Sequence, residues 1–187
     1  PAVYNHLKVI GEKIESGEIR VRGKGIFNRD DQGANWWNLR ACKFYDEFNE
    51  EKIVWGNLND RAKYSFVDSG FYINAPSVLI TPASKFLLGV LNSKVADWYM
   101  QQISVKRDGG FYEYKPMFVK MLPVPERCGE NHIICDTIEK NVEEIIKKKN
   151  FDKLSNTEDI ENILDDLVFR LYNLNVEERN FINSVMN

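Results

Sequence analysis

Two groups of side chains in this sequence have the types needed for catalysis or metal binding, and neither has the necessary spacing. Asp46, Glu51 and Lys52 loosely resemble the carboxylates and lysine of a magnesium-dependent nuclease. Such a site needs two or three carboxylates that converge on the metal, and one loosely spaced match is expected by chance. His6 and His132 have no partner at a useful spacing. We therefore expect no catalytic site in this chain, and we expect both histidines to lie at the surface.

The three cysteines, Cys42, Cys128 and Cys135, form no Cys-x-x-Cys pair. With two histidines as the remaining soft ligands, a structural zinc site has little to build on. An odd number of cysteines without a pairing pattern is typical of a reducing compartment. The sequence therefore predicts packing cysteines, no bound metal and a cytoplasmic protein.

Three segments carry basic and amide side chains that could contact nucleic acid. Arg and Lys suit guanine, Asn and Gln suit adenine, and Lys, Arg and backbone amides contact phosphates. The first segment, residues 18–35, is called the polar loop; it has three glycines that would let its backbone approach phosphates closely. Its candidate side chains are Arg20, Arg22, Lys24, Asn28 and Arg29. A solvated, flexible surface loop explains this composition equally well.

The other two candidate segments lie later in the chain. One surrounds the pair Gly109-Gly110, and its candidates are Lys106, Arg107 and Lys115. A simple hairpin turn with solvated charges is the alternative interpretation. The other follows a predicted strand at residues 52–55, and its candidates are Asn57, Asn59, Arg61 and Lys63. For this last segment the composition favours a polar connector over a binding loop.

The net charge of −3 is unevenly divided along the chain. Residues 1–127 contain 18 Lys and Arg against 15 Asp and Glu, whereas residues 128–187 contain 7 against 13. The three candidate segments therefore lie in a mildly basic part, and the acidity belongs to the rest. Neither part is basic enough for charge alone to indicate nucleic-acid binding.

Hydrophobic periodicity predicts an α+β protein. Helices are predicted over residues 3–14, 84–92, 93–102, 134–149, 157–171 and 176–185. Strands are predicted over residues 19–21, 52–55, 64–67, 71–73, 78–80, 111–114 and 118–121. We predict a mixed body at residues 1–127 and an acidic helical tail at residues 128–187. No apolar run is long enough to span a bilayer, so we expect no membrane-spanning helix in these residues. Because the chain begins with Pro1, we expect it to be a segment of a longer protein.

The four tryptophans could stack on exposed bases, but their apolar neighbours favour a place in the core. They are Trp36, Trp37, Trp55 and Trp98. Trp37 and Leu39 alternate as one face of a strand would, and we expect the following Arg40 to be buried for structural reasons. In the tail, the apolar stripe from Ile160 to Leu171 either folds back on the body or remains available to a partner, including a second copy of the chain.

Several phrases occur in an order that resembles the TaqI-like C-terminal specificity domain. In the body they are Gly33-Ala34-Asn35-Trp36-Trp37-Asn38-Leu39-Arg40, Lys52-Ile53-Val54-Trp55, Gly70-Phe71-Tyr72, Leu87-Leu88-Gly89-Val90-Leu91-Asn92-Ser93-Lys94, Gly110-Phe111-Tyr112-Glu113-Tyr114-Lys115 and Leu122-Pro123-Val124-Pro125. In the tail they are Leu167-Val168-Phe169-Arg170-Leu171-Tyr172-Asn173-Leu174 and Glu177-Glu178. Each phrase alone is weak, whereas their common order is specific and covers nearly the whole chain.

This resemblance implies a DNA target-recognition domain of a type II restriction–modification enzyme or a phage-defence adenine-N6 methyltransferase. Such a domain binds double-stranded DNA and selects the site that the catalytic domain of the parent protein methylates or cuts. The chain has no Asn-Pro-Pro-aromatic tetrad for an extruded adenine and no F-x-G-x-G loop for S-adenosylmethionine. We therefore expect a non-catalytic module without a cofactor, whose parent needs S-adenosylmethionine and, if it also cuts, Mg²⁺.

A protein-interaction module that acts through the acidic helical tail is the main alternative. The partner would be the methyltransferase or nuclease domain of the parent, or another copy of the chain. A self-contained enzyme is the third hypothesis, and the sequence favours it least.

Overall fold

The computed structural model describes residues 1–38 and 44–186, so the predictions for Leu39, Arg40 and Cys42 lie outside the described residues. The chain divides into two compact units, residues 1–45 and 46–187. The two units are best understood separately, because each has its own packing.

The first unit is built on helix α1, Ala2–Glu15. Gly11 is buried on this helix because the ring of Phe27 lies against it; a Cβ atom at Gly11 would stand 2.3 Å from Phe27 Cζ. Phe27 belongs to a short 3₁₀ helix, Ile26–Asn28, within the polar loop. The close approach of ring and helix therefore fixes part of a loop that the sequence leaves unanchored.

The strand predicted over residues 19–21 is wrong. This segment follows directly from α1, where Ile19 N donates to Lys13 O at 3.0 Å, and it takes up bend and coil conformations. Its side chains are mostly exposed, so no buried face stabilises an extended ladder.

Trp36 and Trp37 lie in a turn, although the alternation of Trp37 with Leu39 is typical of one face of a strand. The Trp36 ring lies 4.7 Å from Phe27 and 5.3 Å from Tyr4, measured between centroids, and Trp37 also contacts Tyr4. Trp37 nevertheless remains 42% exposed. The aromatic side chains of this unit thus make a small cluster around α1, with Trp37 at its surface.

The second unit contains two small antiparallel sheets. Its strands are β1 Lys52–Trp55, β2 Leu58–Asn59, β3 Ser65–Val67, β4 Val78–Ile80 and β5 Tyr112–Glu113. The first sheet has the order β3-β1-β4, and Ile53 of β1 pairs with Phe66 on one side and Ile80 on the other. The second sheet pairs β2 with β5. Trp55, at the end of β1, is 4% exposed, which confirms its predicted place in the core.

Two predicted strands of this unit are wrong. Residues 71–73 form no strand; this short run lies between turn residues, and Phe71 is 61% exposed. Residues 118–121 were expected to be extended, but helix α4, Pro116–Val119, occupies this region. Proline at the first helical position has the helical φ angle already set, so Pro116 explains the short helix.

The remaining helices follow the sequence pattern closely. They are α2 Lys85–Leu91, α3 Lys94–Ile103, α5 His132–Phe151, α6 Glu158–Leu171 and α7 Val176–Val185. Ser84 and Ser93 cap α2 and α3 as predicted, since their hydroxyl groups accept hydrogen bonds from the backbone amides of Leu87 and Ala96. Helices and small antiparallel sheets together confirm the α+β class.

The C-terminal helices pack against the earlier ones. Helix α2 packs on α5, and α3 packs on α6 and α7. Gly89 allows the closest approach, because a Cβ atom there would stand 2.7 Å from Ile138 Cγ2. Most of the apolar stripe on α6 is buried in this contact, including Leu164 and Val168. The predicted domain boundary between residues 127 and 128 stays a prediction.

Within the described residues, every helix is too short or too polar to cross a membrane.

Candidate nucleic-acid interface

The second and third candidate segments meet through a small antiparallel ribbon. Leu58 of β2 pairs with Glu113 of β5, and Asn59 pairs with Tyr112. On the other side of β5, residues 105–107 run back along residues 111–113 as a hairpin. The three short segments form a ribbon in which β5 is central.

The tip of this hairpin is tightly closed. Arg107 N donates to Phe111 O at 2.7 Å, and Glu113 N donates to Val105 O at 3.1 Å. Gly109 and Gly110 between the arms have φ angles of 78° and 83°, which only glycine adopts readily. The predicted turn is therefore a structured tip, and its glycines are explained by backbone geometry.

Glu113 holds two of the predicted DNA-contacting cations. Arg107 Nε donates to Glu113 Oε1 at 2.7 Å, and Arg107 Nη2 donates to the same oxygen. Lys115 Nζ lies 2.8 Å from Glu113 Oε2. The Glu113 side chain is only 8% exposed, whereas those of Arg107 and Lys115 are 55% and 45% exposed. Hydrogen bonds from Lys115 and Arg107 lower the pKa of Glu113, so the carboxylate remains ionised.

Side chains on one strand alternate between two faces, so Arg107, Glu113 and Lys115 lie on a common face of the ribbon. By the same pairing Leu58, Val105 and Phe111 share this face, and they are 51%, 43% and 40% exposed. We call these six residues the hairpin face. Lys106 lies on the opposite side, with its Nζ 5.8 Å from the centre of the Tyr112 ring.

Residues of the helical core anchor the ribbon. Trp55 Nε1 donates to Tyr114 O at 2.6 Å, and the Tyr114 hydroxyl donates to Asp97 on α3. Asp97 also accepts a hydrogen bond from the Ala62 backbone, which lies in the third candidate segment. Asn92, at the end of α2, bonds both backbone atoms of Tyr64, accepting from its N–H and donating to its C=O. The base of the ribbon is thus fixed to α3 through Tyr114, and the segment that follows β2 is fixed to α2 and α3.

Burial dominates the electrostatics of this anchor. Loss of hydration raises the pKa of Asp97, and the hydrogen bond from Tyr114 partly opposes that rise. Burial raises the pKa of Tyr114 and also that of Tyr64 above the usual range of tyrosine. The Tyr64 hydroxyl is buried and, within the described residues, has no hydrogen-bond partner. The tyrosines therefore remain protonated well above neutral pH.

The third candidate segment has its side chains in different surroundings. Arg61 and Lys63 line a cleft of about 550 Å³ bordered by α2, α3, α5 and α6. Lys63 Nζ lies 2.5 Å from Asp60, and Asn59 Nδ2 donates to Gly56 O at 2.8 Å. Asn57 contributes its backbone oxygen, which accepts from Tyr114 N at 2.8 Å. The two asparagines therefore shape the turn, and the two cations face the cleft.

Several candidates of the polar loop take part in contacts within the first unit. Arg29 donates from Nη2 to Asn38 O and, at 3.4 Å, to Trp36 O. Asn28 Nδ2 donates to Glu15 at 2.8 Å, and Lys24 pairs with Asp30. Arg20 and Arg22 are exposed, and neither forms an ion pair with any residue that the structure describes. The predicted DNA-contacting roles of these side chains stay predictions.

Lys52, one of the residues that loosely resemble a nuclease site, has a structural role. The Lys52 side chain is fully buried, and its Nζ donates to Phe48 O at 3.1 Å and Asp68 O at 3.0 Å. No group of three His, Cys, Asp or Glu side chains among residues 1–38 and 44–186 is arranged to hold a metal ion. Lys52 therefore closes a loop onto strand β1. His6 and His132 are exposed as predicted.

Sequence reasoning missed Glu113 and Asp97, the two acidic residues that organise the ribbon. A search for DNA contacts selects cations and amides, so it passes over carboxylates. The alternation Glu113-x-Lys115 was a usable signal, because residues two apart on a strand share a face. The contribution of Asp97 depends on contacts with Tyr114 and Ala62 that lie far away in sequence.

Comparison with known proteins agrees with the order of sequence phrases. A family model described as the TaqI-like C-terminal specificity domain matches residues 4–124. This range includes the polar loop and the whole hairpin face, whereas helices α5–α7 lie beyond it. No curated protein sequence matches the chain. Because the match covers well over half of the residues, the chain belongs to the TaqI-like C-terminal specificity domain family.

Proposed function

We propose that this chain is the DNA target-recognition domain of a restriction–modification enzyme. It binds double-stranded DNA and selects the site that another domain of its parent methylates or cuts. The observation that carries the proposal is the hairpin face, a rigid ribbon that presents Arg107 and Lys115 to solvent around one buried carboxylate. Membership in a specificity-domain family supports the same function.

The two-stranded hairpin within the ribbon, residues 105–107 and 111–113, has a form and charge that suit a DNA groove. The major groove of B-form DNA admits a two-stranded β-ribbon, which can carry donors to the base edges. Residues 105–120 contain four basic and two acidic side chains, so the local charge is positive although the whole chain is acidic. Anchoring by Asp97 and Trp55 supplies the rigidity that a binding loop needs.

We propose further that the chain has no catalytic activity and no cofactor of its own. The catalytic domain of the parent would hold S-adenosylmethionine and, where it cuts DNA, Mg²⁺. The unpaired cysteines Cys128 and Cys135 support a reducing, cytoplasmic location. Incubation of the chain with plasmid DNA, Mg²⁺ and S-adenosylmethionine should give neither nicking nor methyl transfer, and either product would contradict this part of the proposal.

DNA binding is tested by titrating a fluorescent duplex with the full 187-residue chain at several salt concentrations. Each phosphate contact lowers the logarithmic salt slope by about 0.9, so removal of Arg107 and Lys115 together should reduce the slope by between about one and two. Lys153→Ala, which removes an exposed cation of the tail, is the matched control and should leave the slope unchanged. Absence of binding at low salt, or an equal effect of both changes, would refute the proposal.

A second candidate function is attachment of the tail to the catalytic domain of the parent. The apolar stripe of α6 is mostly buried, but Phe151 at the end of α5 and Leu154 in the following loop are 94% and 91% exposed. Contiguous exposed apolar surface marks protein–protein interaction sites, and these two side chains lie three residues apart in the chain. Replacing both by serine should weaken assembly of the parent in sedimentation experiments and leave its choice of DNA site unchanged. Unchanged assembly would exclude this role for the two residues.

A further inference from the structure

Glu113 leaves Arg107 with one specific set of unused donors. Arg107 Nε and Nη2 each direct a hydrogen to Glu113 Oε1, which uses the side edge of the guanidinium group. The second hydrogen of Nη2 and those of Nη1 remain, and no described residue accepts them. Two of these hydrogens point along the end of the planar group as a parallel fork.

The fork is held in a fixed direction. The Arg107 backbone is closed onto Phe111, its side chain is bound to a buried carboxylate, and Lys115 occupies the other oxygen of that carboxylate. A long arginine side chain usually loses considerable rotamer entropy when it binds a ligand. Here Glu113 has imposed that ordering before any ligand arrives, so a directional partner gains the benefit of preorganisation.

The presence of Glu113 distinguishes base recognition from phosphate binding. A phosphate contact depends mainly on positive charge, and a carboxylate next to two cations cancels part of it. A contact with a base edge depends on the direction of the donors, which the same carboxylate fixes. The carboxylate therefore weakens the attraction of the cluster to phosphate and fixes the direction of its donors. Both effects favour a contact with a base edge over a contact with a phosphate.

We propose that Arg107 recognises a guanine in the major groove of the DNA target and that Glu113 is its positioning residue. This inference rests on the proposed function. Guanine presents the two adjacent acceptors N7 and O6, which match the parallel fork of arginine, whereas adenine presents one acceptor and one donor. Leu58, Val105 and Phe111 share the face of Arg107, and when DNA covers that face they would help to exclude water, which strengthens the hydrogen bonds of the fork.

The test is a selection from duplexes with a randomised central segment, using the full 187-residue chain and sequencing of the bound DNA. The wild-type chain should enrich a site with guanine at a position that Arg107 controls. A bidentate contact is worth about 1–3 kcal/mol, so the preference for guanine should be about 5- to 150-fold. Arg107→Ala should abolish the preference at that position and leave the other positions of the site unchanged.

Variants of the supporting residues separate orientation from charge. Arg107→Lys keeps the charge and loses the fork, so the guanine preference should fall while the salt slope stays constant. Glu113→Gln removes a negative charge and should weaken the same preference while binding to scrambled duplex stays equal or becomes tighter. Lys120→Gln, which removes an exposed cation outside the cluster, is the control and should keep the preference for guanine. Circular dichroism and thermal melting establish that each variant is folded.

The outcomes distinguish this inference from the function on which it rests. If the wild-type chain enriches a site but Arg107→Ala weakens all sequences equally, Arg107 contacts a phosphate and the inference is overturned. If Glu113→Gln leaves the guanine preference intact, Glu113 has no positioning role. If the wild-type chain enriches no sequence at all, the proposed function itself fails.

Discussion

The polar loop and residues 105–115, which carry most of the hairpin face, have similar compositions and very different organisation. Both combine glycines with several basic residues in a segment that the sequence presents as a candidate DNA contact. In the polar loop, Lys24 pairs with an exposed Asp30, and Arg29 binds backbone carbonyls of its own unit. In the hairpin face, Arg107 and Lys115 converge on Glu113, which is almost completely buried.

This difference shows why a count of basic residues is a poor guide to recognition. The side chains of Lys24 and Asp30 are 60% and 80% exposed, and such a surface pair contributes about 0–1 kcal/mol and hardly restricts either side chain. A buried carboxylate binds its partners in one geometry, because no water replaces a lost hydrogen bond. We therefore expect the polar loop to supply structure and unspecific attraction, and the hairpin face to supply specificity.

Among the variants that test this comparison, Arg29→Ala should have the largest effect on stability. Arg29 donates to the carbonyls of Trp36 and Asn38, and a hydrogen bond from a charged donor contributes about 1.5–3 kcal/mol. Its loss should destabilise the first unit by about 2–3 kcal/mol, seen as faster hydrogen exchange in residues 26–38. Arg22→Ala is the control and should leave exchange unchanged. Equal exchange in both variants would mean that Arg29 has no structural role.

The double substitution Arg20→Ala with Arg22→Ala should affect only unspecific attraction. If each arginine contacts one phosphate, the magnitude of the salt slope should decrease by about two. The fall in affinity between 50 and 200 mM salt should then be about tenfold smaller than that of the wild-type chain. The ranking of DNA sequences in the selection experiment should not change. A changed ranking would show that the polar loop also recognises bases, and the comparison would then break down.

Two tyrosines next to the ribbon should respond to the same substitution in opposite ways. Tyr114→Phe removes the hydrogen bond to buried Asp97 and should lower the free energy of unfolding by about 1–2 kcal/mol. Tyr64→Phe removes a buried hydroxyl without a partner among the described residues, so stability should rise by up to about 1 kcal/mol. Urea denaturation measures both changes. Unchanged stability of Tyr114→Phe would argue against the anchor, and a loss of stability in Tyr64→Phe would contradict the prediction for Tyr64.

The smallest effect concerns pH. Burial raises the pKa of Asp97 above its ordinary value of 3.8, so the folded state binds its proton more tightly than the unfolded state. The resulting stability is present below about pH 4 and is lost as the pH rises through the higher folded-state pKa. Asp97→Asn keeps an acceptor for Tyr114 and removes this loss. Its stability relative to wild type should therefore increase from pH 4 to pH 7, and a constant difference would contradict the assignment.

The sequence predicted the helices well because their signals extend over many residues. Helix α7 was predicted over the observed residues 176–185, and the serine caps of α2 and α3 were found. The runs at residues 71–73 and 118–121 were misjudged because three or four apolar residues fit a strand, a short helix or a loop equally well. Pairing partners, which settle such cases, are distant in sequence.

The sequence supplied the basic residues that were considered as DNA contacts, but it did not show how they are arranged. Composition identified Arg107, Lys115, Arg61 and Lys63, but the contact between Arg107 and Glu113 depends on the register of the hairpin. The pairing of Leu58 with Glu113 spans more than fifty residues. Such information is absent from local patterns, so a single sequence shows which side chains are available and does not show which of them act together.

The anchor of the ribbon has a consequence for how new specificities arise. The Trp55 side chain donates a hydrogen bond to the backbone carbonyl of residue 114, and Asp97 accepts one from the backbone amide of residue 62. Neither contact depends on which side chains the ribbon displays. Mutations at positions 58, 105 and 107 can therefore accumulate at little cost to the core. Under the proposed function, a scaffold of this kind can acquire a different DNA target by exchanging a few outward residues, and laboratory libraries restricted to those positions should retain folded members.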